Sequence, residues 1–402
     1  MKFASRLVNF DPAPGDRYHP ISTPIYQTAT FEQECADQFG DYDYSRSGNP
    51  TRTVLERHLA KLENGVRGFT FASGMAAIST VTRLLKTGDE ILADSDLYGG
   101  TCRLFSRVLE RTGITVRYAD ACDPELFAQQ VTSKTKLIYV ESPTNPLLRI
   151  VDLQKIAKIA RSNDALFCVD NSTMSPYLQN PLDLGADIVL HSATKYLCGH
   201  HDVTAGAIVV SDEDLAEKIY FLQNAEGNAL APFDCFLLLR GIKTLKLRLD
   251  CQQRNAQAVA RFLTAHPDVK RVFYPGLSDS PGYEVQRSQA RGAGAVMSLT
   301  TGSVELSKAI AERAQLFRIT VSFGSVNSSI SLPGNMSHAS VPPEVLANRD
   351  LPRDLVRLSI GIEDEEDVIA DLEQAFVAAK SIAKPVADSV LANDESLSAP
   401  RI

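Results

Sequence analysis

The sequence lacks any apolar stretch long enough to span a membrane, and residues 1–20 lack the charged-then-apolar order of a secretion signal. It also lacks a basic run, and its 41 Lys and Arg against 49 Asp and Glu leave a net charge of −8. This balance disfavours binding to nucleic acid. We therefore expect no membrane or nucleic-acid partner, and a location in the cytoplasm, or in the plastid stroma if a transit peptide has been removed.

Paired cysteines are absent as well. The seven cysteines are an odd number and form no Cys-x-x-Cys motif, which favours reduced thiols over disulfides or a structural zinc site. The adjacent histidines His200 and His201 point apart on a helix or a strand, so we expect no metal site. The remaining composition is ordinary, and 402 residues suffice for a large core and two or three domains.

The two ends of the chain lack regular patterns. Residues 1–48 are interrupted by proline and glycine and predict an extended arm, which either docks on its own domain or reaches a neighbouring subunit. Residues 384–402 are mostly small and polar and predict a flexible tail.

A regular pattern begins at residue 49 and predicts a large domain over residues 49–245. Helical patterns and short apolar runs alternate at 54–63, 75–86, 90–93, 101–111, 115–118, 124–131, 136–140, 153–161, 166–169, 188–190 and 207–210. Continuous apolar strands between helices predict an α/β fold with a mostly parallel, doubly wound sheet. Ligands of such sheets bind beyond the carboxyl ends of the strands.

A smaller C-terminal α+β domain is predicted over residues 246–383. Residues 215–225 and the long run 235–263, loosened near Gly241, predict helices that leave the large domain. The patterns that follow predict strands near 269–274, 295–300, 319–321 and 355–360 and a closing helix at 364–379.

One lysine lies where chemistry is expected. Lys195 follows the apolar run 188–190, is flanked by Ser192 and Thr194, and precedes Gly199, which allows a sharp turn. A Schiff base with a phosphorylated aldehyde requires hydroxyls that hold the phosphate and an amine that reaches the carbonyl. This stretch alone also allows a solvated surface lysine.

Three further features are compatible with the same cofactor. The turn Ser73-Gly74-Met75 opens a helix whose free N–H groups suit a phosphate, although a plain helix cap has the same pattern. Asp170 follows the run 166–169 and could keep a pyridine nitrogen protonated, or could cap a turn. Tyr98 also follows a strand and could lie flat on an aromatic ring, or pack in the core.

Taken together, the order and spacing of these features resemble the pyridoxal-phosphate-dependent enzymes of cysteine and methionine metabolism, the cystathionine synthase and lyase family. The resemblance covers about residues 20–380, and its matching runs are 44–51, 73–75, 96–100, 141–146, 169–171, 191–195, 223–227 and 356–364. It implies the fold of type I pyridoxal-phosphate transferases, pyridoxal 5′-phosphate as the cofactor and an amino-acid thioether as the substrate.

The resemblance also implies a role for each matching residue. Lys195 would form the Schiff base and move a proton from Cα to the leaving side, while Tyr98 would stack on the ring and assist proton transfer. Asp170 would hold the ring nitrogen. The other implied cofactor contacts are the hydroxyls of Ser192 and Thr194 and the N–H groups of Gly74 and Met75 for the phosphate, and Asn145 for the phenolic oxygen.

Two residues of the arm are implied to act on another subunit. Tyr44 and Arg46 would reach the phosphate of a neighbouring subunit, which implies an obligate homo-oligomer, a dimer paired into a tetramer. Arg357 would clamp the substrate carboxylate with its bidentate fork. Ser322, Asn145 and Tyr44 complete the implied substrate site.

Finer differences within the family indicate the reaction. Methionine γ-lyases usually carry a cysteine where this chain has Gly100, and the loop 322–329 lacks the glutamate of many γ-synthases and γ-lyases. The runs that look most like plant-type cystathionine β-lyases are 220–227, 230–235, 239–244 and 322–325. This likeness implies β-elimination of L-cystathionine to homocysteine, pyruvate and ammonia, a step of methionine biosynthesis.

Three alternatives stay open. A γ-lyase or γ-synthase of the same family is the nearest. A fold type I aminotransferase is an alternative from another enzyme class. A cofactor-binding regulatory protein is disfavoured, because every group that the chemistry needs is present.

Overall fold

The structure, a computed structural model, describes residues 1–336 and 351–383. In this part the helices are α1 (Phe3–Val8), α2 (Pro50–Glu63), α3 (Gly74–Thr82), α4 (Gly99–Arg107), α5 (Pro124–Ala128), α6 (Leu153–Ser162), α7 (Ser175–Leu178), α8 (Glu213–Glu226), α9 (Pro232–Ile242), α10 (Leu245–Ala265), α11 (Tyr283–Gln289), α12 (Val304–Arg313) and α13 (Glu365–Ala383). The strands are β1 (Arg67–Phe71), β2 (Glu90–Asp94), β3 (Thr115–Ala119), β4 (Thr135–Glu141), β5 (Leu166–Asp170), β6 (Ile188–Ser192), β7 (Gly206–Val210), β8 (Arg271–Phe273), β9 (Val296–Thr300), β10 (Arg318–Ile319), β11 (Ser329–Ser331) and β12 (Val356–Ser359).

Seven strands form the large sheet, in the order β1-β7-β6-β5-β4-β2-β3. The five strands β3, β2, β4, β5 and β6 are parallel, and β7 is antiparallel to both of its neighbours. Alternate side chains of β4 enter different cores: Leu137 and Tyr139 lie on one face, Ile138 and Val140 on the other. The predicted α/β class is confirmed, and the carboxyl ends of β4, β5 and β6 lie side by side.

The sequence reasoning missed β1, the edge strand of this sheet. Gly68 interrupts its apolar pattern, which hides the strand. The glycine is required because a Cβ there would lie 2.5 Å from the carbonyl oxygen of Glu56 in α2. The backbones of α2 and β1 therefore approach too closely for any side chain at position 68.

Five strands form the small sheet, in the order β10-β11-β12-β9-β8. Its strands are antiparallel except for the pair β10 and β11. Leu358 of β12 packs in a core with Met297 and Phe376, while the neighbouring Arg357 points the other way, to Asn145 in the segment after β4. The predicted smaller second sheet is confirmed, although β11 was missed. The domain boundaries at residues 245 and 383 stay predictions.

The long helical run expected at 235–263 is divided into α9 and α10. The loosening expected near Gly241 is a full break at residues 243–244. Arg248 stabilises the break, because its Nη2 donates a hydrogen bond of 2.8 Å to the carbonyl oxygen of Gly241 and satisfies the end of α9. A Cβ on Gly241 would lie 2.3 Å from the carbonyl oxygen of Cys198, so α9 packs closely on that segment.

The N-terminal arm is not extended throughout, which corrects the prediction at its start. Leu7 of α1 is only 1% exposed and belongs to the main core. Farther along, Ile21 and Phe39 are 91% and 69% exposed. The predicted tail 384–402 lies outside the described residues. In residues 1–336 and 351–383, no helix has both the length and the apolar character that crossing a membrane requires.

Candidate active site

A cavity of about 440 Å³ lies at the carboxyl ends of β4, β5 and β6. The predicted site residues that line it are Gly74, Met75, Tyr98, Asn145, Asp170, Ser192, Thr194, Lys195, Ser322 and Arg357. A larger cleft of about 1230 Å³ runs along β3 and β8 and contains none of these residues. The smaller cavity therefore brings together all predicted site residues except those of the arm.

Lys195 lies just beyond β6, inside the cavity. Its Nζ donates a hydrogen bond of 3.3 Å to Oγ of Ser192 and lies 5.3 Å from the centroid of the Phe323 ring. Burial and the charge of Arg357 lower the pKa of the Lys195 ammonium to about 8, while Asp170 has the opposite effect. A lysine with this pKa supplies neutral amine near neutral pH, as a nucleophile or proton acceptor requires.

The N-terminus of α3 lies directly against Ser192. A Cβ on Gly74 would lie 3.0 Å from the Cβ of Ser192, so a larger residue would push the helix away from the strand. The first N–H groups of a helix have no partner within it, and Gly74 and Met75 both line the cavity. The hydroxyl of Thr194 accepts the N–H of Ala205 at 3.0 Å. A helix N-terminus with hydroxyls beside it suits an anion such as phosphate, so the predicted phosphate contacts are compatible with this geometry.

Asp170 ends β5 with its carboxylate in the cavity. Oδ2 accepts a hydrogen bond of 3.2 Å from the hydroxyl of Tyr139, and Oδ1 accepts one of 3.0 Å from the N–H of Ser172. Burial raises the pKa of Tyr139 well above its usual range, which keeps this hydroxyl a donor. The two contacts hold the Asp170 carboxylate in a fixed orientation.

Tyr98 is positioned by two neighbours. Its N–H donates a hydrogen bond of 2.9 Å to Oε1 of Glu141. A Cβ on Gly100 would lie 2.3 Å from Cε1 of the Tyr98 ring, so the glycine makes room for the ring. Tyr98 is 37% exposed and lines the cavity, so a ligand in the cavity can contact it.

Sequence reasoning missed Glu141 as a site residue. Glu141 lines the cavity, is only 4% exposed, and pairs in register with Asp170 on the next strand. Burial and the charge of Asp170 raise the pKa of Glu141 well above its usual range, which favours the neutral acid. A signal was available, because Glu141 opens the run 141–146 directly after β4.

Arg357 faces the cavity from the small sheet. Its Nη1 donates to Oδ1 of Asn145 at 2.9 Å, and its Nη2 donates to the carbonyl oxygen of Ser322 at 2.8 Å. Burial lowers the pKa of Arg357 to about 10, which leaves it charged at neutral pH. No ion pair within residues 1–336 and 351–383 includes it. A buried cation of this kind suits a ligand carboxylate.

Tyr44 and Arg46 lie outside the cavity of their own chain. Tyr44 is 41% exposed, and the Cζ of Arg46 lies 5.2 Å from the centroid of its ring. Nε of Arg46 donates a hydrogen bond of 3.2 Å to Asn224. Their action on a neighbouring subunit stays a prediction.

The polar groups of the cavity fit pyridoxal phosphate. An amine, a carboxylate and a helix N-terminus surround one space, and they match the aldehyde, the ring nitrogen and the phosphate of the cofactor. The hydroxyl oxygen of Ser322 is buried without a hydrogen-bond partner in the described part of the chain, as expected of a group that a ligand satisfies. The fold and this site define the class of pyridoxal-phosphate-dependent enzymes.

The chain belongs to the family of Cys/Met metabolism PLP-dependent enzymes, whose sequence model matches residues 4–377. Chloroplastic cystathionine β-lyase of Arabidopsis thaliana is 54% identical over 370 residues, which are 92% of this chain and 80% of the relative. Cystathionine β-lyase of Neurospora crassa is 50% identical over 369 residues, 91% of this chain and 80% of the relative.

A solved structure shows the same fold. Cystathionine γ-lyase from Lactobacillus plantarum, complexed with L-serine, superposes with a TM-score of 0.92 at 42% identity, and the match covers 94% of this chain and 100% of that chain. The predicted family, fold class and cofactor are confirmed.

Proposed function

We propose that this chain is a cystathionine β-lyase, which converts L-cystathionine and water to homocysteine, pyruvate and ammonia in methionine biosynthesis. The observation that carries this proposal is that the Lys195 amine and the Arg357 guanidinium both lie close to one aromatic ring, that of Phe323. Nζ of Lys195 lies 5.3 Å, and Cζ of Arg357 lies 5.4 Å, from the centroid of the Phe323 ring. An α-amino acid held by Arg357 has its Cα beside Lys195. The sequence identity of 54% and 50% to the two cystathionine β-lyases supports L-cystathionine, an amino-acid thioether, as the substrate.

Residues of this chain then perform the elimination. When bound, pyridoxal phosphate supplies an aldehyde that takes up the substrate amine and a ring that accepts the electron pair left on Cα. Arg357 binds the α-carboxylate and is itself held by Asn145 and Ser322. Lys195, in its neutral form, takes the Cα proton and returns a proton to the departing sulfur. Asp170 holds a proton at the ring nitrogen.

A cystathionine γ-lyase is the second candidate, and the superposition on the Lactobacillus plantarum enzyme favours it. The γ-reaction needs a second proton removal, at Cβ, whereas β-elimination needs one at Cα alone. Incubation of the purified holoenzyme with L-cystathionine separates the candidates. We expect pyruvate as the oxo acid; 2-oxobutyrate would support the γ-lyase. A requirement for an added 2-oxo acid would indicate an aminotransferase.

The proposal includes a homo-oligomer in which Tyr44 and Arg46 complete the site of a neighbour. Their exposure outside the cavity, and the exposed apolar residues of the arm, support it. Mixing inactive Arg46→Ala and Lys195→Ala enzymes tests it, because a mixed oligomer contains one site with both residues intact. We expect activity to return on mixing, and its continued absence would contradict the arrangement. Light scattering then distinguishes a dimer from a tetramer.

We also propose that the enzyme works in a reducing aqueous compartment, the cytoplasm or the plastid stroma. All seven cysteines are free thiols, which supports this location. Fractionation of source cells with a specific antibody tests it, and recovery with secreted proteins would contradict it.

A further inference from the structure

A buried polar network lies behind the cofactor site, at the end of α2. Glu63 is fully buried and accepts hydrogen bonds from Nε2 of His191 at 2.6 Å, from Nδ2 of Asn171 at 3.0 Å and from Nδ2 of Asn180 at 3.1 Å. Both oxygens of Glu63 therefore act as acceptors. Glu63, Asn171 and His191 are called the Glu63 clasp below.

The clasp joins the two strand ends that carry the predicted cofactor residues. Asn171 directly follows Asp170 at the end of β5, and His191 directly precedes Ser192 at the end of β6. A second contact runs beside the clasp, since the N–H of Ser192 donates a hydrogen bond of 2.6 Å to Oγ of Ser172. Through Glu63, α2 fixes these two strand ends relative to each other.

His191 depends on this contact for its orientation. Its imidazole is 1% exposed, and Nδ1 has no hydrogen-bond partner among the described residues. The carboxylate of Glu63 is held by amide and imidazole donors, and no lysine or arginine of the described part of the chain forms an ion pair with it. Loss of Glu63 leaves Nε2 of His191 without this partner, and loss of His191 removes one of the three donors to the buried Glu63 carboxylate. Both changes are costly away from water.

We propose that Glu63 and His191 are positioning residues for the cofactor. The clasp sets the distance between Asp170, which serves the ring nitrogen, and Ser192, which serves the phosphate. A rigid cofactor that is bound at both ends is sensitive to small changes in this distance. The inference rests on the cofactor site and not on the choice of β-elimination.

The test compares variants of His191 that differ in one donor. His191→Phe keeps a ring but removes the donor to Glu63, whereas His191→Gln keeps a donor at the Nε2 position. The dissociation constant of pyridoxal phosphate is measured by fluorescence titration, and kcat and KM for L-cystathionine are measured after reconstitution. We expect His191→Phe to raise the dissociation constant about tenfold or more and to lower kcat at unchanged KM, and His191→Gln to restore most of the loss.

Asn180→Ala is the matched control. It removes a donor to the same Glu63 carboxylate, but Asn180 adjoins no cofactor-site residue. We expect this variant to lower the free energy of unfolding and to leave the dissociation constant of pyridoxal phosphate unchanged.

Two results would overturn the inference: unchanged affinity for the cofactor in His191→Phe, or an affinity that falls in proportion to stability in both His191→Phe and Asn180→Ala. If His191→Phe does not fold, Asn171→Ser carries the same test, because it removes the other clasp donor. If the dissociation constants of pyridoxal phosphate follow the expected pattern but the holoenzyme does not cleave cystathionine, the role of the clasp is supported. Only the proposed function is then contradicted.

Discussion

Arg357 and Asn145 are joined by a hydrogen bond of 2.9 Å from Nη1 to Oδ1. Arg357 lies on β12 of the small sheet, whereas Asn145 follows β4 of the large sheet. Both side chains are buried, at 3% and 4% exposure. The bond therefore fixes Arg357, the proposed carboxylate clamp, relative to the strand ends that line the cavity. In the proposed function, the position of the substrate then depends on both sheets.

Replacement of Arg357 by lysine tests the clamp. Lysine keeps the charge but cannot bind a carboxylate with two parallel N–H groups. We expect Arg357→Lys to raise the KM for L-cystathionine about 10- to 100-fold in steady-state assays, with unchanged affinity for pyridoxal phosphate. Arg240→Lys, on the exposed side of α9, is the control and should behave as the wild type. An unchanged KM in Arg357→Lys would place the substrate carboxylate elsewhere.

Lys195→Ala tests the covalent anchor. We expect the variant to lose the visible absorbance of bound cofactor after dialysis and to lose activity by about a thousandfold or more, since both nucleophile and proton carrier are removed. The measurements are an absorbance spectrum and a pyruvate assay. A borohydride-reducible link to the cofactor that survives in the variant would show that another lysine is the anchor.

The lowered pKa of Lys195 has a consequence for cofactor capture. Burial and the charge of Arg357 bring this pKa to about 8, so the neutral amine becomes scarcer as the pH falls below that value. We expect the rate constant for binding of pyridoxal phosphate to apoprotein to rise about tenfold per pH unit up to the pKa and then level off. Stopped-flow absorbance measures this rate.

A variant that lacks the Arg357 charge tests why the rate constant for cofactor binding depends on pH in this way. Because the Arg357 charge lowers the pKa of Lys195, Arg357→Gln should move the midpoint to higher pH. A rate that does not change between about pH 6 and 9 would contradict a titrating amine in this range.

Gly100→Ala tests the space beside Tyr98. The added Cβ would lie 2.3 Å from Cε1 of the ring, so the ring must move. We expect kcat to fall about tenfold or more, because the displaced ring no longer stacks on the cofactor. Gly334→Ala is the control, since no atom of residues 1–336 or 351–383 lies within 4 Å of a Cβ there. Equal kcat values for the two variants would remove Tyr98 from the catalytic role predicted for it.

Much of the fold and the site could be predicted from local patterns. Lys195 and Asp170 each follow a continuous apolar strand, and parallel strands bring such positions to one edge of the sheet. The order of the matching runs along the chain also indicated the enzyme family. These inferences needed only the position of each residue relative to its own strand.

Contacts between distant segments could not be predicted in this way. The sequence comparison singled out Gly100 only because methionine γ-lyases usually carry a cysteine at this position. Its contact with the Tyr98 ring depends on the position of the first turn of α4. The break between α9 and α10 depends on Arg248, a residue of the following helix. The Glu63 clasp joins residues 128 positions apart. Contacts between such distant residues leave no periodic pattern in the sequence.

The bond that is broken in cystathionine is the most direct test of the proposed function. L-cystathionine labelled with ¹³C in its three-carbon half is incubated with the holoenzyme, and the products are identified by NMR while thiols are quantified separately. The account predicts label in pyruvate with an equal amount of homocysteine. Label in cysteine, together with unlabelled 2-oxobutyrate, would contradict it.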